Sequence, residues 1–395
     1  MPRPLNVILD LTSRCNLKCV MCYFAAADKL AFPPFDRQLS TDGNLPFEVF
    51  EEIAADLFPR AWRVALACAA EPMIHPRFRD ILAVAGRYGV PDLWFPTNLL
   101  AMTPTTAAAI VENHVTTVAG SIDGVTRETY EKIRVPAKWD RLLASLETLR
   151  AARRDRKSSL PRLRIIFTWM KSNREELARL PAFAAEQGAS EIDVRFVSPT
   201  EGVDVSGELL SGEDRATLDR ELASAAKDFV RRGIQLASYP EFERPGQRPR
   251  GFIPRVQRRL WRIRAGLDRF EYLRHGFYHL YYGCAYPTRN YVIRPNGAVH
   301  PCIYWDREPI GFYPGEGIER IASGRGLRAI LEGVRSGRPI GTCGTCLERR
   351  AALYRPRPRS APEPARPRRG NAAPEVRAER SEGRSSGKNL PTHPG

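Results

Sequence analysis

The hydrophobic pattern of this chain changes period repeatedly between two and about three and a half residues. Short apolar runs suited to strands alternate with longer stretches in which apolar residues recur at helical spacing. The strand-like runs are Leu5 to Leu11, Trp62 to Ala67, Asp92 to Phe95, His114 to Ile122, Arg162 to Trp169 and Glu191 to Val197. Between them, Phe47, Phe50, Ile53, Ala54 and Leu57 mark a helix with Pro46 at its first turn, and a second helix runs from about Arg77 to Tyr88. Thr103-Pro104 opens a third with a cap and a first-position proline. Further helices cover Lys138 to Asp155, Arg174 to Gln187 closed by Gly188, and about Gly212 to Arg232. Six alternating strand–helix units predict an α/β fold with a parallel sheet and helices outside, and six are too few for a closed eight-fold barrel.

In such folds the loops at the carboxyl ends of the strands build the active site. The sequence places its chemistry there. After the first strand comes DLTSRCNLKCVMCYF, with Cys15, Cys19 and Cys22 spaced C-x3-C-x2-C. The second strand is followed by Ala69-Ala70-Glu71-Pro72, the third by Thr97-Asn98 and the fourth by Ser121-Ile122-Asp123-Gly124. Three thiolates this close suit an iron–sulfur cubane whose fourth iron is open to another ligand. A closed structural zinc site needs four ligands, and no fourth Cys or His lies nearby in sequence. Buried free thiols are the remaining ordinary account.

The chain has 395 residues, 43% of them apolar, enough for a large domain or two. Eight cysteines, no secretory apolar segment at the start and no run long enough to span a bilayer point to a reducing, cytoplasmic setting. The net charge of +16 suggests nucleic acid until its distribution is considered. From Ala351 onward, ten basic residues stand against four glutamates in a Pro-, Arg-, Ser- and Gly-rich tail that cannot bury a core. It is expected to be disordered and solubilising, which disfavours nucleic acid as a partner. Residues 255–267 carry an apolar stripe (Val256, Leu260, Ile263, Leu267) with Arg255, Arg258, Arg259 and Arg262 mostly off it. A solvated basic face fits this pattern, and an anionic substrate or membrane surface is the alternative.

The C-x3-C-x2-C loop in this strand context resembles the signature of the radical S-adenosylmethionine (SAM) enzymes. The resemblance implies a partial (β/α)6 barrel and a [4Fe-4S] cluster on Cys15, Cys19 and Cys22 whose open iron chelates SAM. Met21 replaces the aromatic residue common before the third cysteine, where it would lie against the adenine. ACAAEPMIHPRF resembles the family's Gly-Gly-Glu-Pro motif with both glycines replaced by alanine, so Glu71 is implied as a partner of the SAM ammonium. SIDGVTRETYEKIR resembles the ribose-contacting segment. Ser121 and Asp123 are the implied ribose contacts and Asn98 a further one, while Arg134 is either a SAM-carboxylate partner or an ordinary helix-end arginine. Cys68 is either a small core residue or a hydrogen-atom donor to a substrate radical.

Cys284, Cys302, Cys343 and Cys346 form a second set, with an Asn296-Gly297 hairpin signal before Cys302 and a late C-x2-C. This resembles the SPASM/Twitch extension and implies one auxiliary [4Fe-4S] cluster. A four-cysteine zinc ribbon is the rival. The expected organisation is a barrel over 1–235, a basic linker over 236–283, a SPASM/Twitch-like domain over 284–350 and a tail over 351–395. The resemblance implies reductive cleavage of SAM to a 5′-deoxyadenosyl radical, which takes hydrogen from an unactivated carbon, with a flavodoxin- or ferredoxin-type electron donor. The auxiliary cluster would assist oxidation. With a barrel that begins at Leu5, the expected substrate is a small molecule such as a sugar or aminocyclitol, or a peptide delivered by a separate recognition protein. A non-catalytic iron–sulfur electron carrier is the alternative from another class.

Overall fold

The computed structural model describes residues 5–22, 39–198, 203–210, 215–238, 284, 286–305, 307–336, 338–344 and 346. The chain divides into two units, 1–353 and 354–395, and the second lies wholly outside the described residues. The expected basic helix over 255–267 and the tail also fall outside them.

One ten-stranded sheet organises the first unit. Seven parallel strands run in sequence order: β1 (Leu5–Leu9), β2 (Ala61–Ala65), β3 (Asp92–Thr97), β4 (Thr117–Ser121), β5 (Arg162–Trp169), β6 (Glu191–Phe196) and β7 (Gln235–Ser238). On the far side of β1 the sheet continues through β8 (Asn290–Ile293), β9 (Ala298–His300) and β10 (Gly311–Phe312). β8 is parallel to β1, with Asn6 opposite Asn290 and Leu9 opposite Ile293, whereas β9 returns antiparallel. The hairpin that the Asn296-Gly297 pair announces is therefore built onto the first barrel strand.

Helices α1 (Phe47–Leu57), α2 (Phe78–Arg87), α3 (Pro104–Glu112), α4 (Arg127–Ile133), α5 (Trp139–Asp155), α6 (Leu180–Glu186) and α7 (Arg215–Arg231) connect the parallel strands. The strand residues in the core with them include Val7, Leu9, Val64, Phe95, Val118, Phe167 and Val194. Burying each such side chain contributes about 1.5–3 kcal/mol. Alternate positions on the same strands, Asn6, Asp10, Arg63, Asp92, Asp193 and Arg195, are polar and face the opposite, concave side. That side is the inner face of a partial barrel.

Local chemistry explains the boundaries. Thr103 caps α3 by accepting the Thr106 N–H at 3.1 Å, worth about 1 kcal/mol. His114 adopts φ +55° and, with Val115, bonds back to α3, so β4 begins at Thr117 rather than at His114 as expected. The helix expected over Arg174 to Gln187 is a 3₁₀ segment, Lys171–Ala178, followed by α6. Asn173 interrupts the first with a non-helical φ, and Pro181 sits in the first turn of the second. β7, only four residues long, is an addition to the six expected strands.

Candidate active site

β1 delivers the chain to the cysteine loop. Asp10, at its end, is buried, and its Oδ1 accepts the N–H of Cys68 at 2.6 Å and of Ala69 at 3.3 Å. Arg294, beyond β8, reaches Asp10 Oδ2 at 2.6 Å. Within the loop Leu17 and Cys19 point inward, while Cys15, Asn16, Lys18 and Val20 are exposed. The Lys18 N–H donates to Val135 O at 2.6 Å and the Val20 N–H to Ile133 O at 3.0 Å, pinning the loop to the end of α4. The Cys22 N–H donates to Cys19 O at 3.0 Å, which turns the third cysteine back toward the first two.

The donor set suits a three-thiolate cubane. Cys15, Cys19 and Cys22 lie within electrostatic reach of one another. The Leu17 N–H points at Cys15 Sγ at 3.4 Å, and Asn98 Nδ2 lies 3.9 Å from the same sulfur. Arg134 Nη1 lies 3.8 Å from Cys19 Sγ. Burial pushes the Cys19 thiol up to about 11, with Arg134 acting against it. Burial alone would lower the Arg134 guanidinium, but Asp123, Cys19 and Tyr130 outweigh it and raise it. A bound cluster adds anionic thiolates here, and a buried guanidinium with directed N–H groups is what such charge requires.

The adjoining residues are more deeply engaged than their motifs suggest. Glu71 is buried, with Oε1 accepting from Met73 N at 3.2 Å and Thr97 Oγ1 at 2.7 Å, and Oε2 from Asn98 N at 2.7 Å. Desolvation raises its carboxyl to about 7 despite those three bonds. Asn98 donates from Nδ2 to Asn16 Oδ1 at 2.7 Å and accepts the Leu100 N–H, so its amide braces the cysteine loop. Asp123, implied as a ribose contact, is wholly interior: Oδ1 accepts the Thr168 N–H at 2.6 Å, and Arg134 Nη2 lies 2.5 Å from Oδ2. Both of its carboxylate oxygens are thus engaged within the protein. Arg134 is likewise only 8% exposed and lies beneath the cysteine loop. Ser121 ends β4 on the inner face, half-buried, and Met21 packs partly buried against the core.

Cys68 borders the concave face. It is accessible there, yet enough protein surrounds it that desolvation raises its thiol to about 12, with Asp10 adding to the rise. At neutral pH it is a thiol, not a thiolate.

The four carboxyl-terminal cysteines come together. Burial raises Cys302 to about 12, the Tyr304 N–H works against this, and Cys343, Cys284 and Cys346 all lie close enough to add to it. Cys284 precedes β8 and Cys302 follows the antiparallel β9, so both sit at the amino end of β8. The first set follows the carboxyl end of β1, to which β8 runs parallel. The two thiol sets therefore lie toward opposite ends of the β1–β8 strand pair. Among the described residues no three His, Cys, Asp or Glu converge to hold a single metal ion.

Residues 9–178 match the family model of the radical SAM superfamily. The chain carries a radical SAM domain. The chain is 30% identical over 210 residues to the AdoMet-dependent heme synthase of Methanosarcina barkeri, covering 52% of this chain and 54% of that protein. It is 24% identical over 206 residues to the mycofactocin maturase MftC of Mycobacterium tuberculosis, covering 52% and 48%. It thus spans about half the length of these curated relatives. Among solved structures, Streptococcus suis SuiB bound to S-adenosylmethionine superposes with a TM-score of 0.60 at 17% identity, over 88% of this chain and 72% of that one. That likeness is one of fold. Radical SAM domains use a [4Fe-4S] cluster and SAM, and the Cys15, Cys19, Cys22 loop has the donors for the cluster.

Asp10 and Arg294 escaped the motif reading. Their signal was faint: one acid closing an apolar strand, and one arginine just ahead of a Pro-Asn-Gly turn.

Proposed function

We propose that this protein is a radical SAM enzyme that removes hydrogen from an unactivated carbon of a substrate held on the inner face, between two iron–sulfur sites. The observation that carries this reading is the clustering of two separate thiol sets toward opposite ends of the β1–β8 strand pair. When bound, the Cys15, Cys19, Cys22 cluster and SAM supply one-electron cleavage to a 5′-deoxyadenosyl radical. The chain's own contribution is to hold and shield. Arg134 and the Leu17 N–H offset thiolate charge. Glu71 and Asn98 brace the loops that flank the cysteines, and Asp10 fixes the backbone at Cys68 and Ala69. Cys284, Cys302, Cys343 and Cys346 would hold one auxiliary [4Fe-4S] cluster that takes up an electron from substrate.

The substrate we favour is a peptide. MftC is named a maturase, and SuiB, whose fold this chain shares, is seen bound to the precursor peptide SuiA. A flavodoxin- or ferredoxin-type protein would supply the electron. The test is an anaerobic iron count with an assay for 5′-deoxyadenosine after reduction with SAM, on wild type and on a Cys15→Ala, Cys19→Ala, Cys22→Ala variant. Two cubanes predict about eight irons falling to about four, with deoxyadenosine lost. About four irons plus tightly held zinc in wild type would replace the auxiliary cluster by a zinc ribbon. Clusters without deoxyadenosine would favour the electron carrier.

A further inference from the structure

Arg195 is the penultimate residue of β6, opposite Thr168 of β5, and register places it on the inner face with Asp193. Its Nε donates to Asp193 Oδ1 at 3.0 Å and its Nη2 pairs with Oδ2, while the Asp193 side chain is almost wholly buried at 5% exposure. The Arg195 side chain keeps 56% of its surface. A guanidinium has five N–H donors, and Asp193 engages one edge of the fork, leaving donors directed away from it. The geometry is that of an arginine locked from below and open above.

Cys68, from the opposite side of the concavity, and Tyr304, from the Cys302 segment, both lie within electrostatic reach of Arg195. Ile303 and Tyr304, adjacent in sequence and just past the half-buried Cys302, are 40% and 49% exposed and together offer an apolar surface. Arg294, the other arginine named on this face near the carboxyl edge, is already paired with Asp10. We infer that Arg195 is the carboxylate-binding residue of the substrate site, receiving an acidic group while Ile303 and Tyr304 pack against the apolar part of the same molecule. This rests on the radical SAM reading for the substrate's place on the inner face. It adds the class: a substrate that bears a carboxylate.

The test uses the reconstituted holoenzyme and the arginine-selective reagent phenylglyoxal, with adduct formation at each arginine followed by peptide mass spectrometry. Propionate is the probe, propionamide its neutral isostere, and Arg231, exposed on α7, the internal control. The expected result is several-fold slower modification of Arg195 with propionate, none with propionamide, no change at Arg231, and the same protection when SAM is saturating. Blocked glutamate (acetylated and amidated) protecting at lower concentration than propionate places the carboxylate on a peptide side chain; equal protection places it on a small acid. Protection by SAM alone would assign Arg195 to the SAM carboxylate and overturn the inference. Absence of propionate protection, or equal protection at Arg231, would overturn it as well. Iron content and deoxyadenosine formation test the radical SAM reading separately and do not depend on the probe.

Discussion

Arg294 Nη1 lies 2.6 Å from Asp10 Oδ2, joining the hairpin segment to the strand that launches the loop of Cys15, Cys19 and Cys22. The same carboxylate receives the N–H groups of Cys68 and Ala69 on its other oxygen. Three separate stretches of chain thus meet on one buried charge. Removing the cation leaves that charge with two amide donors only, and breaking a buried pair in this way costs about 3 kcal/mol. Arg294→Met is expected to lower unfolding stability by that order and to speed amide exchange at Cys68 and Ala69. Urea unfolding with hydrogen-exchange mass spectrometry checks both. Unchanged exchange at those two amides would mean Asp10 holds them without Arg294.

Glu71 sets a pH dependence. Its carboxyl rises from 4.5 to about 7 on folding because burial disfavours the charge. A raised pKa stabilises the fold fully below the unfolded value and loses that contribution as pH climbs through the folded one. The cluster-free protein should therefore lose up to about 3 kcal/mol between pH 4.5 and 7 from this group. Glu71→Gln should flatten that part of the profile, as read by chemical denaturation at stepped pH. An unaltered slope in the variant would assign the titration elsewhere.

His75 acts with the opposite sign. It is buried, with Nε2 3.0 Å from Leu45 O and Nδ1 accepting the Arg77 N–H at 3.1 Å, which requires the neutral ring. Desolvation lowers its pKa below 6.5. Its stabilising contribution is present above that value and is lost as pH falls through the folded pKa. Thermal unfolding of wild type and His75→Gln should converge as the pH is taken below about 6. Curves that stay parallel would refute a titrating His75.

Two glycines with similar backbone angles should respond very differently to alanine. Gly297 has φ +78°, and an added Cβ would fall 1.9 Å from the Tyr313 carbonyl oxygen, whereas Gly89 has φ +55° with open space around it. Gly89→Ala carries only the left-handed penalty, about 1 kcal/mol. Gly297→Ala must also push the β10 segment away, so its melting temperature should fall by several times as much. Equal shifts for the two would show that Tyr313 moves freely.

The legible features were local ones. Strand–helix alternation, the Thr103 cap and both cysteine spacings depend on neighbours a few residues apart, and the structure forms the alternation and the cap as expected. Where reading failed, a distant partner decided. β7 is a strand only because β6 offers an edge. Arg294 carries no motif of its own; parallel pairing of β8 with β1 brings it to Asp10 across 284 positions.

By itself, the sequence determined the chemistry available: which thiols lie together, which loops follow which strands and which runs can be buried. Covalent spacing and side-chain periodicity suffice for that, because both act over a few residues. Only the tertiary structure decided which charged groups are interior and which face the cavity. Asp193 and Arg195 are two residues apart on one strand, yet one carboxylate is buried and one guanidinium is open. That difference is set by strand register and by the packing of segments far apart in the chain, neither of which a local pattern contains.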